Sequence, residues 1–286
     1  MKDFPRFILV TAIIWLIAGA VAWAGSTPAE VVDFPLFPLA IIIVFIIQWI
    51  GFALAIVLHT EAFFDLTGSL TYFLVTLGLV ALSDSVSLPR ILLAATVSIW
   101  AVRLGTFLAW RVRASGGDDR FDEIKTNPPR FFLVWNIQAL WVTVTASAAW
   151  MALSGPGTLP WSTTLIGGAV WLIGFAIEVI ADNQKSSFKA AHPHDFMTSG
   201  LWSLSRHPNY VGEIVLWVGV AIMAAPALSG GRLIGLISPV FVFILLRFVS
   251  GIPLLEKKAE QRWGDNPHYR EYRDRTPLLF PRPFGG

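Results

Sequence analysis

"LFPLAIIIVFIIQWIGFALAIVL", residues 36–58, runs for 23 residues without a charge, and Gln48 is its only strongly polar side chain. A helix of that length crosses the roughly 30 Å hydrocarbon core of a bilayer. Nothing in it alternates with period two, and its one proline, Pro38, stands in the first turn, so it predicts a membrane span. Working outward, similar apolar runs recur at roughly 7–24, 69–82, 91–110, 131–153, 163–181, 210–227 and 233–251. The third in chain order is the shortest. Composition agrees: 55% of residues are hydrophobic and 14% charged, with a mean hydropathy of +0.64, whereas soluble domains carry about 25% charge. The expected fold is all-α, a polytopic transmembrane bundle of seven or eight spans.

The first run has a second reading. Lys2 and Arg6 precede it and Ala22-Trp23-Ala24 fits a small-residue cleavage site, the pattern of a signal peptide. Retention as a span is the expectation adopted here.

Lys and Arg counts orient the bundle. With the N-terminus inside, seventeen of the 21 fall in inner segments. Arg90 and Arg232 fall in outer loops, and Arg103 and Arg247 within spans. The bias predicts eight spans with both termini cytoplasmic, in a protein of the bacterial inner membrane. A net charge of +2 gives no reason to expect a nucleic-acid partner. The absence of cysteine excludes disulfides, thiol nucleophiles and thiolate metal sites. No metal site is expected, since His192 and His194 in "HPHD" read as a solvated turn. Neither a dinucleotide glycine fingerprint nor a P-loop is present. Oligomeric state is not legible.

The long inner segments, 111–130, 182–209 and 252–286, concentrate the polar residues. Charges at or inside span ends are costly unless paired or lining a cavity, which singles out Arg103, Glu178, Asp182, Glu213 and Arg247. Glu178, Asp182, Lys185 and Lys189 share one helix face, spaced four, three and four residues apart. They read either as a salt-bridge ladder or as a site. Arg103, Phe107 and Arg111 share a face of the fourth span. The loop "GGDDRFDEIKTNPPRFF" (116–132) carries Arg120 between turn signals. In "SRHPNYVGE" (205–213), Pro208 suits the first turn of a new helix. Asn209, Glu213 and Trp217 then form one stripe, beside Arg206, His207 and Tyr210, at a helix start that favours anionic groups.

"GLWSLSRHPNYVGEIVLWVG" (200–219), "IEVIADNQKSSFK" (177–189), "WRVRASGGDDRF" (110–121) and the tail from Gly251 to Pro281 resemble the steroid 5α-reductase C-terminal domain family. Its bacterial membrane-protein branch is the nearest. The likeness spans about residues 100–281, dividing the chain into an N-terminal substrate half (1–99) and a reductase-like domain (100–286). It implies NADPH in a cytoplasmic-side cavity, with Asp182, Asn209, Glu213 and Trp217 matching family positions. Lys189 stands where the steroid enzymes have arginine, and Glu178 where they have asparagine. Arg103, Arg111, Arg120, Lys185, Lys189, Arg206, His207 and Tyr210 complete the expected cofactor set. "HTEAFFDLTGSLTY" (59–72) does not align with the family's substrate residues, and Tyr72 and Glu61 are taken as candidate acids.

The reading is therefore an NADPH-dependent reductase of an activated carbon–carbon double bond in a lipid-like substrate, drawn from the bilayer. Two alternatives stay open. The string R-H-P-N-Y, with Glu256 and Glu260, also suits an S-adenosylmethionine-dependent methyltransferase of the isoprenylcysteine carboxyl methyltransferase type. A non-enzymatic relative retaining the fold is the other.

Overall fold

A computed structural model describes residues 4–26, 35–83, 86–115 and 121–280. Among them there is no strand, and eight helices are long and apolar enough to cross a membrane. The protein is an integral membrane helical bundle. Six spans are single α-helices: α1 (Phe4–Gly25), α2 (Leu36–Leu58), α3 (Phe64–Leu82), α4 (Leu88–Ser115), α5 (Pro128–Ser154) and α6 (Trp161–Ala191). The short third run is a helix of 19 residues because Phe64 to Gly68 extend it below the apolar stretch. Asn127 starts α5 by accepting from the Arg130 backbone N–H, with prolines at its first two positions.

The seventh span is α7 (Pro208–Ala224) and a 3₁₀ turn over Ala225–Ala227. The eighth departs from a plain α-helix. It runs as 3₁₀ helix over Gly230–Ile237, then α8 (Ser238–Ile244), then a π turn over Leu245–Val249. Gly230 and Gly231 weaken its first turns, and Pro239 lacks a backbone donor. Two short helices follow, α9 (Ile252–Trp263) and α10 (Pro267–Arg275).

The chain divides into two compact units. One comprises Met1–Leu165 with Val220–Ser238, the other Ile166–Gly219 with Pro239–Gly286. In the first, α5 packs against α1, α2, α3, α4 and the 230–237 segment, and every residue from Val142 to Leu153 is buried. The run Ala146-Ser147-Ala148-Ala149 lets neighbouring backbones approach closely, the usual device where lipid removes the hydrophobic drive between helices. Polar side chains pair between helices. Gln48 Nε2 donates to Thr71 Oγ1 at 2.9 Å, Trp150 Nε1 to Thr76 Oγ1 at 2.9 Å, and Trp15 Nε1 to Asn136 Oδ1 at 2.9 Å.

Arg90 and Arg232, read from sequence as outer-loop residues, are buried. Arg90 donates to the carbonyls of Leu153, Gly155 and Gly157 at 2.9, 2.6 and 2.7 Å, and Arg232 to those of Met151 and Ala227. Two of these carbonyls, those of Met151 and Leu153, belong to the last turn of α5, where carbonyls lack intrahelical partners.

Candidate functional site

The second unit is organised by two helices that cross at their glycines. A β-carbon added at Gly212 would meet the Glu178 backbone nitrogen at 2.5 Å, and one at Gly219 would meet that of Trp171 at 2.5 Å. A β-carbon at Gly174 would meet the Gly212 carbonyl at 2.7 Å. The antiparallel backbones of α6 and α7 therefore touch. That contact sets Asn209 beside Asp182, and Asn209 Nδ2 donates to Asp182 Oδ1 at 3.2 Å. Asp182 is buried and Asn209 half-buried.

The turn before α7 is pinned to α6. Gly200 takes a φ of 63°, a left-handed conformation suited to glycine. The Leu201 N–H donates to Gln184 Oε1 at 3.0 Å and Trp202 Nε1 to the Ala181 carbonyl at 3.0 Å. The Lys185 ammonium lies 4.5 Å from the centroid of the buried Trp202 ring, a cation–π contact.

Arg206 and His207 converge on one residue that sequence spacing could not associate with them, Glu256 on α9. Arg206 Nη1 donates to Glu256 Oε2, and His207 Nε2 lies 2.8 Å from Glu256 Oε1. A carboxylate only accepts, so Nε2 carries the ring proton and Nδ1 keeps a lone pair. Nδ1 is shut off from solvent and has no hydrogen-bond partner, and so is Arg206 Nε. Burial is the largest influence on the imidazole and pulls its pKa below the usual value. Glu256 opposes this, and the charges of Lys185 and Arg206 add to it. The Tyr210 ring stacks on the imidazole, with centroids 5.7 Å apart.

The tail closes around the same turn. The Arg206 N–H donates to the Pro277 carbonyl at 2.9 Å, and Tyr272 Oη to the Trp202 carbonyl at 2.7 Å. Burial pushes the Tyr272 hydroxyl pKa well up, so it stays a donor. Phe196 sits among Trp263, Tyr269 and Tyr272, and Arg273 pairs with Glu260 at 2.7 Å. His192 and His194 are exposed. No group of three or more metal-ligand side chains occurs among the described residues.

Of the residues singled out in sequence, Asp182, Lys185, Arg206, His207, Asn209 and Tyr210 meet here. Glu213 follows Asn209 by one turn and is half-buried, Trp217 is fully buried, and Lys189 is exposed on α6. Glu61, Tyr72, Arg103 and Arg111 belong to the other unit. There Glu61 pairs with Lys125 at 3.0 Å and Arg111 with Asp65 at 3.8 Å. Arg103 lies over the Phe107 ring. Tyr72 is a core side chain, its ring edge-on to Trp100 at 5.1 Å. Arg120 lies outside the described residues.

Residues 51–276 match the family described as "Protein of unknown function (DUF1295)". The chain belongs to that family. It is associated with steroid 5α-reductase-like membrane proteins. Among curated proteins the chain is similar to methanethiol S-methyltransferase 1 of Bradyrhizobium diazoefficiens, 34% identical over 94 residues, which are 32% of this chain and 28% of that one. It is also similar to an uncharacterized protein of Schizosaccharomyces pombe, 23% identical over 173 residues, 53% of this chain and 49% of the other. The matches thus cover under half of each relative's length. No solved structure matches the chain. The methyltransferase likeness corrects the reductase expectation. The similar protein with a named activity is a methyltransferase.

Proposed function

We propose that this protein is a membrane methyltransferase that moves the methyl group of S-adenosylmethionine to the sulfur of a small apolar or lipid-borne thiol. The likeness to methanethiol S-methyltransferase 1 carries the reading. When bound, S-adenosylmethionine supplies an electrophilic methyl on a sulfonium. The side chains at the start of α7 suit its other groups. The buried Arg206 Nε–H, without a partner, suits a carboxylate, and the Asp182–Asn209 pair suits hydroxyl or ammonium groups. Both termini and this site face the cytoplasm on the charge count, and the acceptor reaches the site from the bilayer.

The test uses the full chain in detergent. S-adenosylmethionine and S-adenosylhomocysteine should raise its thermal unfolding temperature, since a ligand that binds only the folded state stabilises it. Labelled methyl should appear on an added alkyl thiol. A shift with NADPH alone, or with none of the three, overturns the proposal.

A further inference from the structure

Resting on the methyltransferase reading, we propose that His207 is the catalytic base of the transfer, its Nδ1 taking the thiol proton as the sulfur attacks the methyl group. A lone pair of the thiol sulfur forms the new carbon–sulfur bond, and the S–H pair stays on that sulfur as the proton passes to Nδ1. The old methyl–sulfur bond breaks with its pair left on the donor sulfur, giving a neutral thioether. One positive charge leaves the sulfonium and one appears on the imidazole, so the site's net charge does not change.

Four features of the geometry point to this role. Glu256 fixes the tautomer, because its Oε1 accepts from Nε2 at 2.8 Å and leaves Nδ1 as the basic atom. Glu256 is itself fixed through its other oxygen by Arg206, so the ring is oriented by a carboxylate that is oriented in turn. That carboxylate stands against the imidazolium the reaction forms. Nδ1 is buried and has no hydrogen-bond partner; a buried polar atom left unsatisfied in a native protein calls for a reason, and the S–H of a bound thiol would supply the missing donor.

Helix capping is the alternative use of a histidine here, and Nδ1 does not serve it. The Tyr210 and Val211 N–H groups donate instead to the His207 carbonyl, at 3.1 and 3.2 Å. The charged groups acting on the ring are Glu256 from α9, Lys185 from α6 and the adjacent Arg206. Burial, the largest of the influences on the ring, lowers its pKa and so favours the neutral form that can accept.

The experiment compares wild type, His207→Gln and His207→Asn, as full chains in detergent, with two acceptors. One is an alkyl thiol, protonated at neutral pH. The other is an electron-poor aromatic thiol, already ionised. General-base catalysis is worth about a hundredfold or more, so both variants should lose about that factor with the alkyl thiol and far less with the ionised one. Their S-adenosylhomocysteine affinity by calorimetry should stay within about twofold of wild type. Equal losses for both thiols, or none, overturn the base while leaving the methyltransferase reading intact. Wild type that binds neither S-adenosylmethionine nor S-adenosylhomocysteine overturns both. Wild type alone supplies a readout if the variants do not fold: kcat/KM for the alkyl thiol should hold level as pH falls through the neutral range and drop only where the imidazole protonates, and a tenfold fall per pH unit, the course of thiol ionisation, rejects the base.

Discussion

Gly212 on α7 lies against the backbone of Glu178 on α6, so near that a methyl group on the glycine would come within 2.5 Å of the glutamate nitrogen. Backbone cannot swing aside as a side chain does, so the helices would have to part. Asp182 is one turn beyond Glu178, and Asn209 three residues before Gly212. Their hydrogen bond depends on this crossing.

Gly212→Ala should therefore destabilise the protein by about 1–3 kcal/mol, the usual cost of overpacking. Gly168→Ala is the control. A β-carbon there meets nothing within 4 Å, and alanine is the better helix former by about 1 kcal/mol. Thermal unfolding in detergent should fall for the first and hold or rise for the second. Equal melting temperatures would show that the crossing is not under the strain assigned to it.

Arg90 offers a test in the other unit. Its guanidinium serves three carbonyls at once, a geometry the point-like ammonium of lysine reproduces poorly. Arg90→Met leaves those carbonyls without their donor, at about 1–3 kcal/mol for each one that stays buried and unpaired. Arg90→Lys should recover part of the loss. If methionine melts no lower than wild type, water has replaced the arginine and the cap is not structural.

These two sites show what could be read from the chain alone and what could not. The spans were legible because each is a local property of about twenty consecutive residues, and even the short third run proved helical. Pro208 at the start of α7, and α6 continuing past the membrane to carry Lys185 and Lys189, followed from local signals as well. Glu256 did not. It lies 50 residues from Arg206, and no periodicity links them. Arg90 and Arg232 were misread because charge counting assigns a loop arginine to solvent, whereas these two cap α5. The irregular last span was hidden for a different reason: hydropathy records how apolar a segment is, not which hydrogen-bond ladder it keeps. The reductase expectation came from a string shared across reactions.

The buried imidazole predicts a pH dependence with a definite sign. The pKa of His207 is lowered in the folded protein, mainly by burial. On acidification through about 6.5 the unfolded chain's imidazole binds a proton that native His207 does not. Its contribution is therefore complete above that pH and lost as pH falls toward the folded value, by at most about 1.4 kcal/mol per pH unit. Wild type should lose more stability between pH 7.5 and 5.5 than His207→Gln, which keeps a donor for Glu256. Parallel curves would mean the native ring titrates normally.

Orientation is the last expectation, and it governs which side the α7 start faces. Seventeen of 21 Lys and Arg residues fall on one side of an eight-span arrangement, and eight helices among the described residues are able to make it. Such a bias sets topology because positive segments resist translocation. Reporter fusions at residue 120, at residue 195 and after the C-terminus should all read as cytoplasmic, and one at residue 157 as external. Removal of the first span would not change these outcomes, since the later charges orient the rest in the same sense. The fusion at 195 is the most telling, because it lies in the loop whose Pro193 and His194 carbonyls accept from Arg262 and Trp263 of α9. An external reading there would place Arg206, His207 and Glu256 on the outer face, away from cytoplasmic S-adenosylmethionine, and the methyltransferase reading would fall with it.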